Sequence, residues 1–419
     1  MNDSNKILIL FTEEFPFGSG ETFIESEISY LSEHFRVVYI ISKNEPSKIK
    51  RTLPKNVFCI ENKYKISIIE KIGSLVQLLS KKTLEELLFM RSLRIKFNRV
   101  NFYILLKSLI VSKRVSNIIN DIKTNNHSSD MIYLYSYWWM DEALGITRYK
   151  KQNQNVKAFS RAHGADLYFY RHPDKYLPFK KYMLTHLDAV FSISKDGKSY
   201  LLKKLELNAS KKIIISYLGT NNNFNPILNL TTNFNRIFSC SNIYPNKRVH
   251  LIASSILESK TIIEWDHFGE YMNFTSDSYK ENLEKIKDQL IKFNYGLNFP
   301  GRISNKEILK VLNENNYDFH INLSESEGVP VSIMESFSFG VPVIATNVGG
   351  VSEIVIDGYN GFLIDPNSTS SDVSQIINKF YALDLNEINK LRNNAFLTWK
   401  KKFNADSNYK LFINQIESL

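Results

Sequence analysis

Cysteine is scarce in this sequence, and metal-binding patterns are missing. Its 419 residues include only Cys59 and Cys240. No disulfide framework can be built from two cysteines, so a reduced, cytoplasmic compartment is expected. The histidines, cysteines and aspartates show no metal-ligand spacing, and no D-x-D motif occurs. These absences argue against a divalent cation held by such a motif.

Long apolar runs are also missing. No stretch reaches the roughly 18 uninterrupted apolar residues of a membrane-spanning helix. The run Ile7–Phe11 is too short for the core of a signal peptide. The length, in contrast, exceeds what one ordinary hydrophobic core needs and fits two domains of roughly 200 residues each.

Positive charge is abundant and unevenly distributed. The net charge is +10, and between Tyr64 and Arg114 there are 11 Lys and Arg residues against three Glu. Helical apolar spacing over 64–123 fits basic amphipathic helices that lie on an anionic membrane surface. An ordinary insertion with a solvated basic face is the alternative. Nucleic acid is not expected, because no helix-turn-helix, zinc or RNA-binding signature is present.

The stretch 322–366 predicts a strand, loop, helix and second strand of a parallel sheet. An apolar run ends at Leu323, a loop with Gly328 and Pro330 follows, and helical spacing begins at Val331. Such a βαβ unit is typical of α/β folds. The loop and the start of the helix offer free backbone N–H groups and the positive end of the helix dipole, which suit a phosphate.

Two glutamates flank this predicted phosphate site. Glu327 lies in the loop, and Glu335 follows eight residues later on the helix. Carboxylates repel phosphate but accept hydrogen bonds from hydroxyl groups. The pair therefore suits a ligand with hydroxyls on both sides of a phosphate, which is a nucleotide-sugar. By spacing alone, a helix-capping Glu327 and a solvated Glu335 remain the alternative.

The segment EGVPVSIMESFSFGVPVIATNVGGVSEIV resembles the donor-site signature of family-four ("group 1") retaining glycosyltransferases, including the spacing E-x7-E. The resemblance implies the GT-B fold, an α/β architecture of two Rossmann-like domains whose parallel sheets face a cleft. It also implies transfer of a sugar from a nucleoside diphosphate sugar, with UDP favoured over GDP. The acceptor would be a glycan or a lipid-linked molecule of bacterial surface-polysaccharide or glycoconjugate biosynthesis. Retention at the anomeric carbon is implied, without a divalent metal or another cofactor.

The resemblance extends to particular residues of the second half. It places Glu327 on the donor sugar, Glu335 on the ribose and Lys247 on the diphosphate. The position of a family arginine corresponds here to Asn242, which leaves less charge at the diphosphate unless Arg248 or Arg302 compensates. The donor-binding residues expected beside Glu335 are Gly328, Val329, Pro330, Val331, Ser332, Asn242, Arg248, Arg302, Gly18 and Gly20.

The first half contributes further candidates. Residues 6–11 predict a strand, and the following loop, FPFGSGETF, resembles the family's first loop. Gly18 and Gly20 lack the third glycine of a dinucleotide fingerprint, so a plain βα turn is the alternative to a loop that approaches phosphate or acceptor. The motif SRAHGADLY follows another predicted strand and makes His163 a catalytic candidate, together with Glu327 and Lys247.

The expected acceptor-binding residues also lie in the first half, at the ends of predicted strands. Exposed tryptophans there could stack on an acceptor sugar, although core packing would explain them equally. The candidates are Trp138, Trp139, Arg161 and Asp166.

The predicted organisation has three parts. Residues 1–220 form an acceptor-binding domain with the basic insertion at about 64–123, residues 221–400 form the nucleotide-sugar domain, and residues 401–419 form a helix that crosses back to the first domain. Two other functions share this architecture. A sugar-nucleotide epimerase would act without an acceptor, and a catalytically inactive partner subunit would bind nucleotide without turnover.

Overall fold

The computed structural model describes residues 5–18, 20–44, 51–60, 73, 76–126, 130–172, 174–208 and 210–419. The chain divides into two units. The first comprises Met1–Tyr217 with Tyr409–Leu419, and the second comprises Leu218–Asn408. The beginning of the predicted basic insertion, residues 64–72 with 74 and 75, lies outside the described residues.

The first unit contains a sheet of seven parallel strands. The central strands are continuous apolar runs, as expected for strands that are covered on both faces. Its strands are β1 (Lys6–Thr12), β2 (Val37–Ser42), β3 (Val57–Cys59), β4 (Met131–Ser136), β5 (Val156–Ala162), β6 (Ala189–Ser192) and β7 (Ile213–Ile215). Its helices are α1 (Ile24–His34), α2 (Lys81–Ser92), α3 (Arg99–Asn126), α4 (Asp141–Gln152), α5 (Lys180–His186) and α6 (Lys195–Lys204).

The second unit contains a sheet of six parallel strands. Its strands are β8 (Arg236–Cys240), β9 (Glu264–Phe268), β10 (Gly296–Gly301), β11 (Phe319–Asn322), β12 (Val343–Thr346) and β13 (Gly361–Ile364). Its helices are α7 (Val249–Leu257), α8 (Asp277–Lys292), α9 (Asn305–Glu314), α10 (Val331–Ser338), α11 (Ser370–Tyr381) and α12 (Leu385–Lys402). The final helix, α13 (Ala405–Glu417), begins in this unit, and its residues from Tyr409 onward belong to the first unit.

The strand orders locate the ligand-binding edge of each sheet. The first sheet has the order β3-β2-β1-β4-β5-β6-β7, and the second has the order β10-β9-β8-β11-β12-β13. The direction of winding therefore reverses between β1 and β4 and between β8 and β11. Open α/β sheets bind ligands beyond the carboxyl ends of the strands at such a reversal. Two parallel α/β units confirm the fold class predicted from the sequence.

Among the described residues, no helix is both long enough and apolar enough to cross a membrane. Each unit has its own buried core on the two faces of its sheet. In the first unit, the end of α13 contributes to that core through Phe412, whose ring lies 4.1 Å from the guanidinium carbon of Arg161.

Candidate functional site

The winding reversal of the second sheet brings Lys247 and Glu327 together. Lys247 ends a short 3₁₀ turn after β8, and Glu327 lies in the loop after β11. The Lys247 ammonium donates to the Glu327 carboxylate over 2.5 Å, and both side chains are less than one-fifth exposed. A backbone hydrogen bond from Glu325 to the Asn246 carbonyl, 2.8 Å long, holds the two loops in register. Two residues predicted to be catalytic are therefore neighbours.

The loop 323–330 leads directly into α10, as the sequence predicts. Pro330 has φ −66° and occupies the cap position of the helix. The Gly350 amide donates to the Gly328 carbonyl over 2.9 Å, which fixes the loop from its other side. Within the described chain, the amides of Gly328, Val331 and Ser332 donate to no protein acceptor. Such unpaired amides at a helix N-terminus are suited to bind an anion.

Glu335 lies one turn further along α10. Its side chain is nearly buried, and its carboxylate accepts a hydrogen bond from the Asn305 side-chain amide at the start of α9. Burial raises the pKa of Glu335 to about 7, although the Asn305 bond opposes that rise. Sequence analysis did not identify Asn305, because nothing local to it reveals a partner 30 residues away.

A pocket of about 310 Å³ opens beside these residues in the second unit. That volume lies in the range of small-ligand sites. Predicted donor residues Asn242, Lys247 and Arg302 line it together with Cys240 and the turn at Gly269. Burial raises the pKa of Cys240 to about 12, the charge of Glu335 adds to the rise and that of Lys247 opposes it. Cys240 therefore lies within electrostatic reach of both residues.

Gly269 shapes the wall of this pocket. It has φ +155°, and a Cβ atom there would stand 1.8 Å from the Ser241 carbonyl oxygen. Its amide donates to the Gly301 carbonyl over 3.0 Å. No other residue fits between the ends of β8 and β10, so glycine keeps the pocket open.

The two arginines that were expected to compensate for Asn242 differ in their surroundings. The Arg248 guanidinium donates to the Leu323 carbonyl over 2.6 Å and to the Pro366 carbonyl over 2.7 Å. It joins loops and does not line the pocket. Arg302 does line the pocket, and it lies 3.7 Å from the Glu270 carboxylate.

In the first unit, His163 follows β5 and lies within an aromatic cluster. Its ring centroid is 4.8 Å from that of Tyr137, 4.5 Å from Trp138 and 5.7 Å from Phe23. The ring is nearly buried, and neither ring nitrogen has a hydrogen-bond partner among the described residues. The Asp166 carboxylate lies 3.7 Å from the Nδ1 atom.

Asp166 holds the backbone of this cluster. Its carboxylate accepts hydrogen bonds from the amides of His163, at 2.5 Å, and Trp139, at 2.7 Å. Burial alone would raise the pKa of Asp166, but its interactions with His163 and the charge of Lys180 hold that pKa below the usual value. Asp166 therefore holds the backbone of His163 next to the backbone of Trp139.

Three predicted acceptor-binding residues are buried, and that prediction is wrong for them. Trp139, Arg161 and Asp166 have no exposed surface, so none can contact an acceptor. Trp139 packs in the core, and Arg161 forms a buried ion pair with Glu27 at 3.1 Å. Their positions at strand ends suggested exposure, but their side chains point into the unit. Trp138 is only half buried and remains a candidate.

The loop after β1 is held together by two glutamates, Glu14 and Glu21. The Glu21 carboxylate accepts hydrogen bonds from three backbone amides of residues 13–15, at 2.6 to 3.0 Å, and from the Trp138 indole at 2.6 Å. The amides of Gly18 and Gly20 both donate to Glu14 over 3.0 Å. The two glycine amides are therefore already paired within the loop, and a contact of Gly18 or Gly20 with the donor stays a prediction. The role of Glu21 is not predictable from the sequence, where the two glycines are the prominent feature of the loop.

A comparison with known families finds a match to most of the second unit. The sequence profile described as "Glycosyl transferases group 1" matches residues 221–398. That range contains Lys247, Glu327, Glu335 and the pocket. We refer to residues 221–398, the range that matches this profile, as the group 1 domain.

Individual proteins with similar sequences are also named as glycosyltransferases. Uncharacterized glycosyltransferase MJ1178 of Methanocaldococcus jannaschii is 28% identical over 232 residues, which cover 54% of this chain and 60% of the relative. The O-antigen biosynthesis glycosyltransferase WbnH of Escherichia coli is 31% identical over 101 residues, which cover 24% of this chain and 27% of that protein. The chain thus spans at most 60% of the length of these two relatives.

A solved structure extends the likeness of the fold to both units. The crystal structure of Anabaena Alr3699/HepE in complex with UDP and glucose matches 98% of this chain and 99% of that protein, with a TM-score of 0.67. The sequence identity is 14%, so this match concerns the fold. The GT-B architecture predicted from the sequence is thereby supported over the first unit as well as over the group 1 domain.

The geometry of the group 1 domain limits the chemistry available to it. Unpaired amides at α10 and the Lys247 ammonium can stabilise negative charge, and Glu335 can accept hydrogen bonds from hydroxyl groups. Glu327 is already paired with Lys247, so an anionic ligand that recruits Lys247 would compete with that carboxylate. These groups suit a ligand that carries both phosphate and hydroxyl groups.

Proposed function

We propose that this protein is a retaining glycosyltransferase that moves a sugar from a nucleoside diphosphate sugar, by preference a UDP-sugar, to a hydroxyl of a glycan or lipid-linked acceptor. The observation that carries the proposal is the pocket of the group 1 domain, which is lined by Lys247, the partner of Glu327 in an ion pair. The UDP and glucose bound by Alr3699/HepE support the choice of donor.

Each group has a defined task in the proposed reaction. Lys247 and the α10 amides stabilise the charge that develops on the departing diphosphate, which is the main requirement of this chemistry. Glu335 holds the ribose hydroxyls. Glu327 and, from the first unit, His163 position the transferred sugar. The acceptor attacks from the face that the diphosphate leaves, and the leaving phosphate takes up the acceptor proton.

The setting of the reaction is part of the same proposal. The absence of a D-x-D motif supports donor binding without a divalent cation or another cofactor. The relationship to WbnH supports a role in bacterial surface-polysaccharide biosynthesis. Scarce cysteine and the basic segment before Arg114 support a cytoplasmic protein that works at the inner face of the cytoplasmic membrane.

Calorimetric titration with UDP, GDP and their common sugars, with and without EDTA, tests the donor site. Binding of one nucleotide at micromolar concentration, unchanged by EDTA, is expected. Glu335→Ala should weaken that binding about tenfold, because the hydrogen bonds of two ribose hydroxyls to a charged group are lost. Glu314→Ala, at an exposed position at the end of α9, is the matched control and should bind like the wild type.

Three results would contradict this proposal in different ways. No binding of any nucleotide would remove the donor site. Binding without sugar transfer to any acceptor from a surface-polysaccharide preparation would favour an inactive partner subunit. Conversion of the free UDP-sugar to its epimer in the absence of acceptor would favour an epimerase.

A further inference from the structure

Arg248 has a strained backbone conformation directly beside Lys247. It lies between the 3₁₀ turn that ends at Lys247 and the first residue of α7, with φ 46° and ψ 41° in the left-handed region. Residues with a Cβ atom adopt this region only at a cost in free energy. Such a conformation persists where the surrounding structure holds the residue in place. The contacts of the Arg248 side chain show what holds it.

The Arg248 guanidinium connects three loops at the carboxyl ends of the strands of the second sheet. Arg248 itself belongs to the loop after β8. Its Nε atom donates to the Leu323 carbonyl, after β11, over 2.6 Å, and its Nη1 atom donates to the Pro366 carbonyl, after β13, over 2.7 Å. Hydrogen bonds from a charged donor are stronger than those between neutral groups. One side chain therefore joins loops that follow three different strands.

A further hydrogen bond joins the loops after β8 and β11 on the other side of Lys247. The Glu325 amide donates to the Asn246 carbonyl over 2.8 Å. Asn246 precedes Lys247 and Arg248 follows it, so the loop is attached on both sides of the lysine. Two attachments fix the direction of one loop relative to the other as well as the distance between them. Glu327, two residues beyond Glu325, is thereby held within ion-pair distance of Lys247.

The guanidinium of Arg248 is not available to a ligand in the pocket. Within the described part of the chain, Arg248 is not among the residues that line the pocket of about 310 Å³. Two of its nitrogens donate to carbonyl groups, and the third, Nη2, is buried without an acceptor among the described residues. Burial lowers the pKa of Arg248, and the charge of Glu325 opposes that shift. The charge therefore serves hydrogen bonds to backbone carbonyl groups.

We propose that Arg248 is a positioning residue of the donor site, which holds the loop with Glu327 and the first amides of α10 against the loop with Lys247. It acts on a ligand through these loops, and its own charge makes no contact with the diphosphate. The inference rests on the proposed function only where nucleotide binding is measured, because the attachment of the loops is tested without ligand.

Arg248→Gly separates the side chain from the backbone conformation. Glycine adopts a φ of 46° without strain, so this variant removes the guanidinium and keeps the turn before α7. In the whole chain without ligand, hydrogen–deuterium exchange of residues 324–333 should become about tenfold faster, which corresponds to the loss of one charge-assisted hydrogen bond. Exchange of β4 in the first unit should not change. Equal exchange of residues 324–333 in variant and wild type would overturn the proposal.

Asn294→Gly is the matched control. Asn294 follows the end of α8 at an exposed position with φ 66°, so glycine relieves the same kind of strain there and removes no contact between the loops. Exchange of residues 324–333 and nucleotide binding should be those of the wild type. If Asn294→Gly accelerates this exchange as much as Arg248→Gly does, the added backbone freedom is the cause and the proposal is wrong.

Calorimetric titration with UDP tests the consequence for the donor site. Arg248→Gly should weaken UDP binding about tenfold, because the ligand must then order loops that the wild type holds in place. Arg248→Lys should weaken binding to a similar extent, because an ammonium keeps the charge but lacks the two separate donors of the planar guanidinium. The dependence of Kd on ionic strength should be the same in the wild type and in both variants, since no charge that contacts the ligand is removed.

A different pattern would show direct contact of Arg248 with the ligand. If Arg248→Lys binds UDP like the wild type, while Arg248→Gly binds weakly and with a smaller dependence on salt, the charge itself holds the diphosphate and the proposal is wrong. If the wild type binds neither UDP nor GDP, the proposed function fails, and the exchange of residues 324–333 alone decides on Arg248. Unchanged exchange of β4 shows that a variant is folded, and Arg248→Lys takes the place of a glycine variant that does not fold.

Discussion

The nearly buried carboxyl group of Glu335 is the most informative titratable group of the candidate donor site. Because burial raises its pKa to about 7, the folded chain holds a proton there that the unfolded chain releases near pH 4.5. Its contribution to stability is therefore complete below about pH 4.5 and is lost as the pH rises through 7. Binding of ligand hydroxyl groups should instead become stronger as the pH rises through 7, because the charged carboxylate is the better hydrogen-bond acceptor.

Replacement of Glu335 by glutamine isolates this effect. Glu335→Gln keeps an oxygen for Asn305 but cannot ionise, so it should stabilise the chain at pH 8 relative to wild type, by about 3 kcal/mol at most, and much less at pH 5. Urea unfolding of both proteins at the two pH values measures the difference. An equal difference at pH 5 and pH 8 would mean that Glu335 does not titrate in this range.

At the scale of residues, some positions are predictable from the sequence and others are not. Lys247 and Glu327 each follow a strand at a point where an α/β fold binds ligands, and in the structure the two side chains form an ion pair. The inward direction of the Arg161 and Trp139 side chains, in contrast, cannot be predicted from the sequence. A polar or aromatic residue at a strand end has two possible directions, and only the register of β5 and the loop after β4 decides between them.

At the scale of elements, the loop between β1 and α1 is organised by carboxylates. Glycines in such a loop suggest a phosphate site. The backbone amides of residues 13–15 are indeed arranged to bind an anion. The anion is the side chain of Glu21, which has φ 55° and is nearly buried. Through its bond to the Trp138 indole, the same carboxylate positions the ring that packs on His163.

Paired substitutions in this loop test that organisation. Glu21→Gln replaces one carboxylate oxygen by an NH₂ group and leaves at least one buried amide without an acceptor, so it should lower the free energy of unfolding by about 1–3 kcal/mol. Glu14→Gln is the control, because among the described residues the Glu14 carboxylate accepts one amide hydrogen bond, from Gly20. Urea unfolding compares the two variants. A cost for Glu14→Gln as large as that for Glu21→Gln would contradict a special role for Glu21.

At the scale of the whole molecule, the fold was more predictable than the function of its loops. Strands with continuous apolar runs, such as β1 and β12, are recognisable in the sequence, and their alternation with helices specifies parallel sheets. Hydrogen bonds between residues that are far apart in the sequence cannot be recognised from the sequence. Asn305 with Glu335, and Glu21 with Trp138, are separated by 30 and 117 residues and are brought together only by the strand order.

Nucleotide binding should also be visible in the stability of the whole chain. A ligand that binds only the folded state stabilises it by RT ln(1 + [L]/Kd), which is about 2.7 kcal/mol at a hundredfold excess over Kd. For a unit of roughly 190 residues this corresponds to an increase in Tm of about 5–10 °C. UDP at that excess should raise the Tm of the wild type equally with and without EDTA, as measured by differential scanning fluorimetry. The same UDP concentration should raise the Tm of Glu335→Ala by only about half as much, since a tenfold weaker site loses 1.4 kcal/mol of that stabilisation. An increase that disappears with EDTA would contradict metal-free donor binding, and an equal increase in the variant would exclude Glu335 from the site.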